Sequence, residues 1–259
     1  MADSQEIFSA EETLDDLILG NMKIIQAAHG YRFSLDAVLL AHFPEITGVR
    51  RVFDLGTGSG VIPLLLAVRA PNLRISGVEI QPAMVDRARR SVSLNGLANK
   101  IEIIQNDIKE LKKSLPGGCA ELVLSNPPFW RKGEGHISIN QEEAIARHEL
   151  NLNLEELVEQ GVYLLCQGGK MAIIQRAERL AEVMEIFRCH KLSVKRLRMV
   201  HSFVDRNAGL VLLEGQKNRP GSLTILPPLV IYNKPGEYCD EIKHIYQTPL
   251  RSPSSIGGG

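Results

Sequence analysis

Three glycines in five residues constrain this chain more than any other feature of its sequence. They lie in Asp54-Leu55-Gly56-Thr57-Gly58-Ser59-Gly60, between the run Arg51 to Leu55 and the apolar run Val61 to Arg69. The first run reads as a buried strand and the second as a helix, with Pro63 tolerable in a first helical turn. Glycines at such a junction let the backbone turn tightly and let a ligand approach it closely. The pattern then repeats. Leu73 to Glu79 reads as a second strand and Pro82 to Leu94 as an amphipathic helix with proline near its start. Ile101 to Gln105 is the third strand, Ile108 to Leu115 a short basic helix, and Glu121 to Ser125 the fourth strand. Leu154 to Cys166 reads as a helix ended by Gly168-Gly169, Lys170 to Gln175 as the fifth strand, and Glu178 to His190 as a helix. Alternation of this kind dictates a mostly parallel sheet with helices on both faces.

The ends differ. Residues 1–30 are acidic, then mixed, and read as an extension with helical turns. Ser34 to Phe43 is a short helix that Ser34 can cap. Ser193 to Ser202 and Gly209 to Gln216 read as two strands with no helix between them, which places one antiparallel strand in the sheet. Leu223 to Tyr232 reads as a further extended segment. Between Asn126 and Leu152 no period survives, and loops of that length are usually functional or mobile. The expected architecture is therefore α/β and Rossmann-like, a mostly parallel seven-stranded sheet with one antiparallel strand. It divides into an N-terminal extension with short helices (1–48), a core domain (49–250) and a flexible tail (251–259).

Composition narrows the function classes. At 259 residues, 44% hydrophobic and 23% charged, the chain can bury a core without disulfides. No apolar run approaches the roughly 20 residues of a membrane span, and the acidic N-terminus does not read as a signal peptide. Four scattered cysteines (Cys119, Cys166, Cys189, Cys239) form neither a metal pattern nor a disulfide framework. A cytoplasmic, metal-free protein is expected. The net charge is zero, which argues against a protein that coats nucleic acid. Residues 1–20 nevertheless hold six acids and no Lys or Arg, leaving 24 acids against 30 bases, a net +6, in the rest.

Acids stand where a nucleoside would need them. Glu79 ends the second strand, 25 residues after Asp54, where a carboxylate can accept two ribose hydroxyls. Asp107 follows the third strand and can accept from an adenine amino group. Ile80 and Ile108, the residues after these acids, are counted with them. Two cofactor classes bind a ribose this way. A dinucleotide fingerprint needs a glycine where Val61 stands. The GxGxG pattern with an acid two residues ahead instead resembles the S-adenosylmethionine (SAM) site of Rossmann-like methyltransferases. That resemblance implies that Asp54, Gly56, Thr57, Gly58 and Gly60 hold the methionine part, Glu79 the ribose and Asp107 the adenine.

Ser125-Asn126-Pro127-Pro128-Phe129 follows the fourth strand. Two prolines remove two backbone donors and stiffen the chain, and Asn126 is held extended ahead of Pro127. The Asn126 side-chain oxygen and the Pro127 carbonyl can then converge on the two N–H donors of an exocyclic amine. The lone pair of such an amine is delocalised into its ring, and two acceptors favour a more tetrahedral nitrogen as a methyl group arrives. Phe129 offers a face on which a flipped base can stack. The tetrapeptide resembles the Asn-Pro-Pro-aromatic motif of amino-group methyltransferases, which act on adenine or cytosine amines or on a glutamine side-chain amide. Trp130, Arg131 and Lys132 come next. They either stack on and contact a nucleic acid or cover a helix and face solvent.

A wider resemblance joins these pieces. The string from Gln26 to Ala41, the glycine turn, Asn126 to Phe129, Ala146-Arg147-His148-Glu149, Val200-His201 and Asp205-Arg206 are together similar to the bacterial tRNA(1)(Val) adenine-N6 methyltransferase family, over roughly residues 14–250. The resemblance implies a class I SAM-dependent enzyme, monomeric or weakly associated, that modifies an adenosine in tRNA. It suggests that Phe33 and Asp36 cover the cofactor pocket, the other reading being a core Phe and a helix-turn acid; Arg147, His148 and Glu149 either close the substrate loop or form a surface turn of mutually paired charges. Many family members carry Tyr where Phe129 stands; Phe keeps the stacking face. The run Arg188 to Val204 has five cations, Lys195, Arg196 and Arg198 among them, and no acid. It is either an RNA-binding edge or a solvated face. A glutamine-amide methyltransferase acting on a release factor is the alternative, but such proteins usually carry a longer N-terminal helical domain. A ribosomal RNA guanine-amine enzyme also fits the motif. An intact acceptor pair argues against a non-catalytic scaffold.

Overall fold

The computed structural model of the chain describes residues 9, 11–17, 22–29, 34–127 and 152–247. Seven strands carry the sheet: β3 (Arg51–Leu55), β4 (Arg74–Glu79), β5 (Ile101–Gln105), β6 (Ala120–Ser125), β7 (Leu165–Arg176), β8 (Leu192–His201) and β9 (Ala208–Lys217). Their order is β8-β9-β7-β6-β3-β4-β5. All run parallel except β9, which is antiparallel to both β7 and β8. This is the expected sheet. Two short strands, β10 (Thr224–Ile225) and β11 (Leu229–Val230), each pair parallel with β8 and bring the count to nine. The single extended segment expected over 223–232 is thus two short pieces and the start of a third. That third piece, β12 (Tyr232–Lys234), pairs with β13 (Glu237–Tyr238) ahead of a closing helix at 240–247.

Helices cover both faces because successive side chains of each strand point opposite ways. Val52 and Ile174 join Leu39 of α1 (Leu35–His42), Leu64 of α2 (Val61–Arg69) and Val85 of α3 (Pro82–Leu94) in one apolar cluster. Their neighbours Phe53 and Ile173 join Leu157 of α5 (Leu154–Leu164) and Phe187 of α6 (Leu180–Cys189) in the other. A short α4 (Leu111–Ser114) follows a 3-10 turn at Ile108–Glu110, where one basic helix was expected. Strands buried on both faces explain the unbroken apolar runs in the sequence.

Two expectations are corrected. Residues 1–30 were expected to form helical turns, but their described part is a hairpin of β1 (Glu12–Asp16) and β2 (Lys23–Ala27), in register from Glu12↔Ala27 to Asp16↔Lys23. The reason is a partner far along the chain. Ile25 N–H donates to Ser91 Oγ at 2.9 Å, and Asn95 both accepts from Lys23 N–H at 2.9 Å and donates to Lys23 O at 2.7 Å. Side chains of α3 therefore satisfy the outer edge of β2. On β1, Glu12 takes hydrogen bonds from Arg90 at 2.6 and 2.9 Å and from Arg87 at 3.3 Å. The second correction concerns α5, which stops at Leu164 rather than Cys166. Lys217 Nζ of β9 donates to the carbonyls of Val162 and Leu165 at 2.7 Å each and caps the helix end. β7 then begins at once and runs through Gly168-Gly169. Ala120 pairs with Leu165 but Leu122 with Lys170, and this bulge is permitted by φ +73° at Gly168. The 251–259 tail lies outside the described residues. No helix among the described residues is long and apolar enough to cross a membrane.

The hairpin latch gives a test. Its hydrogen bonds from Arg90, ahead of smaller contributions from Ser9 and Arg87, hold the Glu12 carboxyl down at about 2 against an ordinary 4.5. A depressed folded value means stability that is complete above the ordinary value and lost as pH falls from about 4.5 toward 2. Glu12→Gln is expected to cost about 3 kcal/mol at pH 7, the scale for leaving a nearly buried guanidinium without its carboxylate. Urea denaturation across that pH range should show the gap between wild type and variant closing as the wild-type carboxyl is protonated.

Candidate active site

The strand order β6-β3-β4-β5 sets four carboxyl ends side by side, and the chain leaves each through a residue the sequence singles out. Asn126 follows β6, the glycine turn follows β3, Glu79 ends β4, and Asp107 follows β5. In open parallel sheets ligands bind outside such ends.

The glycine turn is left-handed three times over, with φ of +78° at Gly56, +56° at Gly58 and +86° at Gly60. Gly56 and Thr57 N–H both donate to Val78 O at 2.9 Å, which ties the turn to β4. A Cβ on Gly60 would lie 3.3 Å from Ala88 Cβ, so this glycine lets α2 start against α3. A Cβ on Gly56 or Gly58 would meet nothing within 4 Å. Those two form the open lip of the turn. Gly77 was not anticipated as part of this assembly. A Cβ there would stand 2.9 Å from both Cγ2 and Oγ1 of Thr57. A glycine inside an otherwise apolar strand is the signal that marks it.

Glu79 does more than the sequence implied. Its Oε2 accepts from Gly58 N–H at 2.9 Å, and its Oε1 accepts from Ile80 and Gln81 N–H at 2.9 and 3.0 Å. The carboxylate is the keystone of the turn as well as a candidate ribose acceptor. Asp54 is the opposite case. It is fully buried, and neither of its oxygens reaches a hydrogen-bond partner among the described residues; nor does the buried Thr57 Oγ1. Burial pushes the Asp54 carboxyl up to about 7, with the Glu79 charge adding to the rise and the adjacent Thr57 hydroxyl opposing it. Asp107 is half-buried and accepts from Lys109 N–H at 2.9 Å, capping the 3-10 turn, with Ile108 buried behind it.

Ser125 is the bolt between the two halves of the site. Its buried hydroxyl donates to Leu55 O at 2.7 Å and joins the end of β6 to the end of β3. Asn126 and Pro127 emerge half-buried from that junction. Pro128, Phe129, Trp130, Arg131, Lys132, Arg147 and Phe33 lie outside the described residues, as do His148 and Glu149. Asp36 lies half-buried in the first turn of α1, where burial pushes its carboxyl up.

The basic run does not join this edge. Arg196, on β8, donates to Phe43 O at 3.0 Å, stacks its guanidinium 4.9 Å from the Phe43 ring and faces Glu45 and Glu214 at 3.7 and 3.8 Å. That neighbourhood belongs to the end of α2 remote from the glycine turn, since Arg69 donates to Pro44 O at 2.7 Å. Arg198 makes a bidentate pair with Glu241 at 2.6 and 2.7 Å and donates to Pro227 O. Two of the three cations expected to meet RNA are thus committed to internal partners. Lys195 lines a groove of about 490 Å³ with Lys170, Glu45 and Glu214.

Residues 35–196 match the methyltransferase small domain family. The chain is 30% identical over 229 residues to the tRNA1(Val) (adenine(37)-N6)-methyltransferase of Porphyromonas gingivalis, covering 84% of this chain and 88% of that protein. It is 27% identical over 206 residues to the protein of the same name from Aeromonas hydrophila, covering 79% and 84%. Among solved structures it resembles a predicted O-methyltransferase from Agrobacterium tumefaciens, with a TM-score of 0.66 at 20% identity over 86% of this chain and 100% of that one. It also resembles P. horikoshii TYW2 in complex with MeSAdo, with a TM-score of 0.57 at 13% identity over 82% and 73%. At those identities the structural likeness establishes the fold.

Asp54 supplies the test for this site. Its folded value lies above the ordinary 3.8, so the folded chain holds the proton more tightly than the unfolded one. Stability should fall by about 1.4 kcal/mol per pH unit as pH rises between the two values, and level off above the higher one. Asp54→Asn is expected to lose that slope. Urea denaturation from pH 4 to 8 should show the variant gaining on the wild type up to about pH 7 and holding a constant lead beyond it.

Proposed function

Because the chain belongs to the methyltransferase small domain family, we propose that it methylates the N6 amino group of an adenine in tRNA, with SAM as the methyl donor. The observation that carries this reading is the adjacency of Asn126-Pro127 to the glycine turn, joined through Ser125 and Leu55. The tRNA substrate and the adenine rest on the names of its relatives from P. gingivalis and A. hydrophila.

The residues present fit SAM. Asp54 and Thr57 offer three buried oxygens without hydrogen-bond partners among the described residues, the natural complement of an ammonium group. The lip at Gly56 and Gly58 lets a ligand reach the backbone. Glu79 is held rigid by three backbone donors at the end of β4, where its carboxylate would face the ribose. Asp107 and Ile108 would hold the adenine. When bound, SAM supplies an electrophilic methyl group. The chain then has to orient a poor nucleophile. Asn126 Oδ1 and Pro127 O accept the two N–H bonds of the target amine and favour the tetrahedral nitrogen of the transition state. The Ser125 hydrogen bond and the fixed φ of Pro127 hold the backbone that carries these acceptors before reaction. No general base is required, because the amine can lose its proton to water after transfer.

Purified protein, SAM and unmodified tRNA should yield N6-methyladenosine, read by nucleoside mass spectrometry. Asn126→Ala is expected to slow transfer by ~10²–10³, the scale for one preorganised dipole, with SAM affinity by calorimetry within about twofold, since the contact is made in the transition state. Unmodified tRNA alongside a methylated protein glutamine would replace this reading with the amide substrate.

A further inference from the structure

β7 ends in a buried amide that neither the core nor the cofactor site uses. Met171, Ala172, Ile173 and Ile174 are fully buried, and so is Gln175. Arg176 N–H donates to Gln175 Oε1 at 2.9 Å, which fixes the oxygen end of the amide. The other end, Nε2, carries two N–H donors and reaches no hydrogen-bond partner among the described residues. Buried donors are nearly always paired, so an orphan at the end of a strand calls for a reason. Leu or Met at this position would fill the same space without the orphan.

Its place in the sheet supplies the reason. The last pair between β6 and β7 is Ser125↔Ile173. β6 ends at that pair and Asn126 and Pro127 lie beyond it, while β7 runs on to Arg176, so Gln175 stands two residues past the last β6–β7 pair, at the carboxyl end of the strand next to β6. The orphan donor therefore shares the carboxyl edge with the two acceptors Asn126 Oδ1 and Pro127 O. An adenine edge has three groups to satisfy there: two amino N–H bonds and the ring acceptor N1 beside them. Asn126 and Pro127 answer the first two. We infer that Gln175 Nε2–H donates to N1 of the target adenine, making Gln175 a positioning and specificity-determining residue. The inference rests on the adenine-amine reading above. It implies discrimination against guanine, whose N2 amine is flanked by an N1–H donor that would face the amide N–H.

Atom replacement in the substrate tests it. An RNA stem-loop carrying 1-deazaadenine at the target position lacks only the acceptor, and 3-deazaadenine serves as the control. The wild type is expected to lose about 10–100-fold in kcat/KM on the 1-deaza RNA, the range for a buried donor left unpaired, and to keep its rate on the 3-deaza RNA within about threefold. Gln175→Met, with Gln175→Leu as a second variant, should show the same loss on the adenine RNA and no further loss on the 1-deaza RNA, with SAM affinity unchanged. A purely structural role would lower both rates in parallel. That parallel loss, equal wild-type rates on the adenine and 1-deaza RNAs, or full activity of either variant would overturn the inference while the adenine reading stands. A wild type inactive on every RNA would overturn the adenine reading and this contact with it.

Discussion

The carboxylate of Glu79 holds the active edge together. Three left-handed glycines in five residues have no intrinsic reason to adopt one conformation, because glycine loses the most freedom on folding. Three backbone donors converging on one buried carboxylate supply that reason. They clamp Gly58 to the end of β4 and start the path into α3. The Val78 carbonyl adds two more bonds to the same turn. Everything the site needs from β3 and β4 is referenced to this one side chain, which explains why an acid stands at the end of a buried strand.

Around that anchor the polar groups fall into two kinds. Ser125 and Glu79 are satisfied and rigid; they join β6 to β3 and β3 to β4. Asp54, Thr57 and Gln175 are buried at or just past strand ends, with atoms that meet no hydrogen-bond partner among the described residues. A core tolerates such groups only where something else satisfies them, since a buried donor or acceptor without a partner is destabilising. Their placement follows from parallel topology. The strand interiors are apolar on both faces, so polar atoms collect at the ends, where helices and loops diverge and a ligand can enter.

Charge tells a different story from the one its distribution in sequence implied. The acids of the N-terminal segment look like a solvated tail, yet Glu12 is a nearly buried partner for two arginines of α3. The cations of β8 look like a nucleic-acid edge, yet Arg196 and Arg198 join β8 to the end of α1 and to the closing helix. A run of like charge reports composition. Which of its members face solvent depends on what the fold packs against each one.

The sequence alone determined the sheet. Alternating apolar runs and helical periods over 51–190, the glycine turn and the acids Glu79 and Asp107 at strand ends rest on local chemistry, and the rules of parallel crossovers narrow the possible topologies. The candidate residues of the site could be proposed for the same reason: Gly, Pro, Asp, Glu and Asn at strand ends are local signals. Tertiary structure decided whatever depends on a partner distant in the chain. Lys23 and Ile25 form a strand because Asn95 and Ser91, some seventy residues on, satisfy its edge. α5 stops at Leu164 because Lys217 caps it from β9. Glu79 grips Gly58 because β4 lies beside β3, and Gln175 shares the carboxyl edge with the end of β6 because β7 lies beside β6. No local pattern encodes such pairs, since hydrogen bonds and ion pairs form between groups that folding brings within about 3 Å, whatever their separation along the chain.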